Sequence, residues 1–303
     1  MQAISGVYVL GVLASIATSI LFASTNVVYK KLGDRITTLE IVATRTFVSL
    51  PLAVILVLPP FNPDGIFLTV EGVVILAISM IIGLVIGDFL YFESQERIGV
   101  SRAFPIAASY PLLVYLLAAL FLAEPVYPLR VIGAIMVVVG VGLITHDQNI
   151  KAKNSLDEDK RKIIIGVLFA LITFVAWALS DLTLQVGLQD IDPLDANFVR
   201  IIVATFIFLP AVSKSGGKSQ LRTDRKLLAI VLLTGFVGFG VTLVLFTFAV
   251  SYIRATVNSV ILAAGPLVGT PISIAVLHEE APKLIVAGTV LAVLGVALVV
   301  IVF

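Results

Sequence analysis

No cysteine occurs anywhere in the chain. A disulfide framework, a thiol nucleophile and a thiolate metal site are therefore excluded. Histidine is nearly as scarce, with two copies. The run 278-HEE-280 lacks the second histidine that a helical zinc motif requires, and 190-DIDPLD-195 lies between helical segments without a second acidic cluster. No glycine loop suited to cradling a phosphate occurs, so no metal, no cofactor and no direct use of ATP is expected. Charge is sparse too: Asp, Glu, Lys and Arg make up 13% of the 303 residues, against about 25% in a soluble chain. The net charge is +1 with no basic stripe, which argues against nucleic acid as a partner.

What fills the chain instead is apolar sequence, 59% of it, in continuous blocks rather than at amphipathic spacing. A helix crossing the hydrocarbon of a bilayer needs about 20 such residues. Ten segments meet this: 6–28, 37–58, 72–95, 101–122, 128–145, 163–185, 194–213, 226–250, 255–277 and 282–302. The start, MQAISGVYVLGVLASIATSI, has no basic leader region and reads as the first membrane helix rather than a cleaved signal peptide. The expected fold is an all-α integral membrane protein. Its most polar stretch, within 147–162, is too charged for lipid and reads as a linker between five-helix units at 1–146 and 163–303.

The two units repeat one another. Moving the sequence by 155 residues, the shift that carries Pro111 onto Pro266, also carries Glu124 onto Glu279, Arg45 onto Arg200 and Gly83 onto Gly238. Gly133 and Gly140 fall on Gly288 and Gly295, and 11-GVL-13 falls on 166-GVL-168. Leucines and valines coincide by chance in any greasy chain; arginine, proline, glutamate and glycine in one ungapped register do not. Five is odd, so the second copy is expected to sit inverted in the membrane. Inverted repeats are a transporter architecture, because the two packings can exchange roles and open either side in turn.

The sequence resembles the drug/metabolite transporter superfamily, in particular its EamA-type members with ten helices in two five-helix repeats. The stretches that carry the likeness are 21-LFASTNVVYKK-31, Arg45, 91-YFESQERIGVSRAFPIAASYPLLVYLLAALFLAE-124, Trp177, Arg200 and 252-YIRATVNSVILAAGPLVGTPISIAVLHE-279. The resemblance covers essentially the whole chain. It implies a basket of helices around a central substrate cavity in the cell membrane, and not an enzyme. The superfamily's substrates span amino acids, nucleotide sugars, sugar phosphates and cationic drugs, so the likeness leaves the metabolite open. A monomer and a homodimer are both compatible with it.

An ionisable side chain within a span costs roughly 2.5–3.5 kcal/mol on insertion scales and calls for a partner or a role. On the first segment Thr18, Phe22 and Asn26 recur at helical spacing, and their counterparts on the sixth include Trp177, Ser180 and Asp181. Together with Tyr110 they form the expected substrate cavity; close helix packing through small polar residues is the plainer alternative. Asp181 stands where the first unit has the neutral Asn26, and Asp88 where the second has Leu243. Both are candidates for a proton-linked group, unless Asp88 is simply hydrated near a helix end.

Arg45 and Arg200 read as structural or gating residues, paired with the neighbouring Glu40 and Asp195 near the interface. Glu124 and Glu279 end the fourth and ninth segments and are expected to contact those arginines or nearby backbone. Pro111 and Pro266 fall inside spanning segments, where a lost backbone hydrogen bond kinks the helix beside a cavity. Most lysines and arginines lie in the odd-numbered loops, which places those loops in the cytoplasm and both termini outside; the family resemblance favours cytoplasmic termini. The substrate expected is a small organic metabolite, amino acid-like or otherwise zwitterionic or cationic. A sugar-phosphate or nucleotide-sugar exchanger is the alternative, and an intramembrane enzyme a remote one.

Overall fold

The computed structural model describes residues 6–32, 35–152, 160–214, 224–265, 267 and 283–301, and among these all regular structure is helical. Pro266 and Glu279 lie outside the described residues. Six helical stretches are long and apolar enough to cross a membrane, among them Gly6–Asn26, Val70–Ile98 and Arg225–Ala263. Tyr110–Phe121, Pro128–Leu143 and Val286–Ile301 are shorter apolar helices.

In chain order the helices are α1 (Gly6–Leu32), α2 (Thr38–Leu56), α3 (Val70–Met80), α4 (Phe89–Ile98), α5 (Val100–Ala107), α6 (Tyr110–Phe121), α7 (Pro128–Ala152), α8 (Lys160–Gly187), α9 (Pro193–Lys214), α10 (Arg225–Gly235), α11 (Thr242–Ala263) and α12 (Lys283–Ile301). Their starts are written in polar side chains. Thr37 and Glu40 form a reciprocal capping box on α2, with the Thr37 amide donating to Glu40 Oε2 at 2.9 Å. Thr69 caps α3, and Asp224 caps α10 by accepting from the amides of Lys226 and Leu227. Asp195, in the first turn of α9, accepts from Asn62 Nδ2 and the Phe67 amide, which ties down the α2–α3 loop.

The structure departs from ten uniform spans in two places. Segments eight and nine run into each other within α11, which breaks at Arg254 (φ 65, ψ 163). Segment four is cut by a turn at Ala108–Ser109, so Pro111 occupies the first turn of α6. There a proline lacks only an amide that would be unbonded anyway. Pro111 therefore does not kink a continuous helix.

The 155-residue shift recurs in the backbone. A π-helical segment joins α3 to α4 over Ile81–Asp88, and another joins α10 to α11 over Phe236–Val241. Gly99, between α4 and α5, has φ 77 and ψ 156, and its counterpart is the break at Arg254. Packing is reciprocal across the halves. A Cβ on Gly83 would strike the Ser180 side chain, and one on Gly238 would strike Thr25, the residue matching Ser180. Gly11 meets Tyr252 and Ile253, while Gly166 meets the matching Arg97 and Ile98. Helices α7 and α12 cross so closely that a Cβ on Gly133 would lie 2.7 Å from the Gly295 carbonyl, and one on Gly140 would lie 2.6 Å from that of Gly288. The outward faces carry residues such as Leu13, Leu120, Phe121, Phe206 and Leu233, all exposed, which is the surface lipid requires.

Candidate functional site

Helices of both halves line a cavity of about 140 Å³, well above the ~10–15 Å³ that holds a single water. Helix α1 brings Thr18 and Phe22 to it, α8 brings Trp177, Ser180 and Asp181, and α6 brings Tyr110. Of the residues expected there, Asn26 is the exception. One turn along α1 from Phe22, the helix meets Gly238 through Thr25, so protein abuts protein at that level. Two of the others have hydroxyls already engaged. Thr18 donates to the Ala14 carbonyl of its own helix at 2.8 Å. Ser180 and Ser79 each donate to the other's carbonyl at 2.9 Å, clasping α8 to α3.

Trp177 is the fixed centre of the cavity wall. Its ring lies 5.0 Å from that of Tyr91 and 5.7 Å, edge to face, from that of Tyr110. Behind it runs the π-helical segment, where Gly87 lets the backbone approach: a Cβ there would lie 2.9 Å from the indole. Thr173 donates to the Gly87 carbonyl at 3.1 Å, and Trp177 Nε1 donates to Asp88 Oδ1 at 2.9 Å.

The second oxygen of Asp88 takes Arg45 Nη2 at 2.5 Å. Asp88 is thus held on both sides, by Arg45 and by Trp177. Arg45 is 2% exposed and also lies over the rings of Phe239 (4.6 Å) and Phe92 (5.4 Å). The expected pairings at the interface are corrected here: Glu40 caps its own helix, Asp195 holds a loop, and Arg45 finds its acid 43 positions along the chain.

Arg200 requires the larger correction. It lines the cavity, 3% exposed, with its guanidinium carbon 5.6 Å from the Phe246 ring. Its Nε and Nη1 have no hydrogen-bond partner among the described residues. Asp181, 5% exposed on the same cavity, leaves Oδ2 without a hydrogen-bond partner among the described residues. Arg200 and Asp181 do not close into a direct ion pair.

Glu124 lies away from the cavity, at one end of the bundle. It accepts from Gln185 Nε2 at 2.5 Å and Thr256 Oγ1 at 3.3 Å, and pairs with Arg254 Nη1 at 3.4 Å. It meets an arginine, but neither Arg45 nor Arg200. Gln185 in turn accepts the Ala255 amide at 2.6 Å, an amide freed by the break at Arg254.

The model of the EamA-like transporter family matches the chain twice, at residues 9–146 and 164–301. The chain belongs to the EamA-like transporter family. The two matched stretches begin and end in the register of the internal repeat, and membership makes this a membrane-embedded protein whose general activity is transport. An uncharacterized transporter of Archaeoglobus fulgidus is 26% identical over 231 residues, covering 76% of this chain and 78% of that protein. One solved crystal structure superposes with a TM-score of 0.73 over 95% of both chains at 17% identity, a likeness of fold alone.

Proposed function

We propose that the chain is a secondary transporter or facilitator of the cell membrane that carries a small organic metabolite, amino acid-like or otherwise zwitterionic or cationic. It works by alternating access between two inverted five-helix repeats embedded in lipid. The observation that carries this reading is the cavity at the seam of the halves: α1 faces α8 across it, and helices that match under the repeat pack reciprocally around it. A seam of that kind can close on either side by exchanging equivalent packings. Its wall combines aromatic rings with a few convergent polar groups, the lining of a small-molecule site. If a proton is coupled to transport, Asp181 is the better placed of the two carboxylates, because Asp88 is clamped by Arg45 and Trp177.

Purified protein in liposomes, loaded with a broad metabolite panel, tests the proposal. Uptake or exchange of at least one compound is expected, with a loss of about tenfold or more in Trp177→Ala as the rigid ring leaves the wall. A panel that yields no transport, or a Trp177→Ala variant as active as the parent, would count against it.

A further inference from the structure

We infer that the outer face between α2 and α10 binds an anionic phospholipid, with its phosphate on Arg225 and Lys226 and an acyl chain along the groove beneath them. Binding there is independent of what the central cavity carries.

Helix α2 belongs to the first half and α10 to the second, and the two run side by side in the same direction. Arg35, just before α2, pairs with Asp224, the N-cap of α10, at 2.9 Å. Further in, a Cβ on Gly235 would lie 2.9 Å from Arg45 Cα, and one on Gly240 would lie 3.1 Å from Ser49 Oγ. Along this seam runs a groove of about 640 Å³, walled by Thr44, Phe47, Val48 and Pro51 on one side and Leu232 and Phe236 on the other. Thr44 is the one polar residue among them, and Pro51, Leu232 and Phe236 are exposed. In a bilayer, hydrocarbon chains are what such a surface meets.

The mouth of the groove supplies the charge. Arg225, Ala229, Leu232 and Phe236 are spaced i, i+4, i+7 and i+11, so they share one stripe of α10, and all four are exposed. Arg225 therefore stands over the groove, about 10 Å from Leu232 along the helix axis. The interfacial layer on each side of a bilayer is about 5–8 Å deep. An arginine at that height meets the phosphate of a lipid whose chain lies against Leu232 and Phe236, and Ala229 is small enough to leave the path between them open. Lys226 is exposed beside it. Among the described residues neither cation has an ion-pair partner, and the acids at this end are already engaged. Asp224 accepts from Arg35 and from the first amides of α10, while Glu40 caps α2.

The repeat offers a comparison within the molecule. Under the 155-residue shift, Arg225 and Lys226 fall on Val70 and Glu71, and Pro51 falls on Phe206. The matching face of the other half thus has a carboxylate in place of a cation, and a ring 70% exposed in place of the proline. A feature imposed by the shared fold would appear in both halves; the paired cations appear in one. A second copy of the chain is the competing occupant. A two-fold interface through the groove would bring the two Arg225 side chains toward each other, a repulsion that an anionic lipid removes.

The test is photolabelling of the full-length protein in phosphatidylcholine vesicles. Each vesicle carries a trace of one probe, phosphatidylglycerol or phosphatidylcholine, with identical chains and a diazirine on one of them. Labelling is read peptide by peptide, with α1 around the exposed Leu13 as the reference for ordinary lipid contact. After that normalisation, the phosphatidylglycerol probe should label 44–51 and 232–236 about fivefold or more above the phosphatidylcholine probe, the preference expected of basic side chains at the headgroup level. Arg225→Gln combined with Lys226→Gln should abolish the preference and leave labelling of α1 unchanged. The ratio on the unmodified protein needs no variant, so misfolding of the double variant does not remove the test. Equal labelling of the groove by the two probes would overturn the assignment, as would a preference that survives the double substitution. A groove labelled by neither probe overturns it too, and self-cross-linking at this face would then assign it to a second copy.

Discussion

Asp88 and Asp181 show how little residue type decides without surroundings. Both are aspartates at cavity depth, one in each half. Asp88 has Arg45 on one oxygen and the Trp177 indole on the other, whereas Asp181 keeps an oxygen free. Removing one member of a buried ion pair destabilises by about 3–5 kcal/mol. Asp88→Asn is therefore expected to lower the apparent melting temperature of the purified protein clearly, and Asp181→Asn to lower it much less while abolishing ligand response. Equal melting shifts in the two variants would contradict this division. Arg254 offers a separate residue-scale test. Its φ of 65 with ψ of 163 is a region open essentially to glycine, and the matching position in the first half is Gly99. Strain of that kind amounts to about 1–3 kcal/mol, and the ion pair that Arg254 makes with Glu124 is 62% exposed on the arginine side, so its loss matters little. Arg254→Gly should raise the melting temperature by a few degrees; a lower value would show that the ion pair outweighs the strain.

At the scale of elements, glycine marks where backbones touch. Helices α7 and α12 approach through Gly133, Gly140, Gly288 and Gly295, each at the crossing of the two backbones. Only a missing side chain permits that distance, and in lipid such packing is the main force holding two helices together. Gly295→Leu is expected to separate the pair, with a thermal shift larger than that of Gly142→Leu on the partner helix α7, where nothing stands within 4 Å of an added Cβ. These elements were legible beforehand, because arginine, proline and glycine stand out against an apolar background and repeated in one register. The stripe on α1 and α8 was legible for the same reason, and the structure gathers Thr18, Phe22, Trp177, Ser180 and Asp181 around one cavity. Depth and partner choice were not legible. Glu40 lies close enough in sequence to serve Arg45, so a local ion pair looked natural, but capping engages Glu40 and the buried acid comes from the π-helical segment. The break at Arg254 was hidden as well, since arginine gives no sign of a left-handed backbone, while glycine at position 99 does.

At the scale of the whole molecule, alternating access requires that one end of the bundle be closed while the other can open. The cluster of Glu124, Gln185, Arg254 and Thr256 joins the end of α6, the last turns of α8 and the break within α11, three elements that also wall the cavity further in. Separating them is the movement that would open this end. The absence of cysteine makes the movement directly testable, because any introduced pair of thiols is the only pair present. Gln185 and Ala255, whose side-chain oxygen and amide nitrogen lie 2.6 Å apart, are suitable positions. With both changed to cysteine, the reduced protein should still transport, since the two hydrogen bonds of the Gln185 side chain are worth about 1–3 kcal/mol each. Bridging the two with a short, reducible thiol cross-linker should stop net transport and leave ligand binding from the opposite side measurable. Cleaving the bridge should restore the rate. Unchanged transport through a fully bridged population would mean that this end never opens, and the two halves would then have to exchange roles somewhere other than across this cluster.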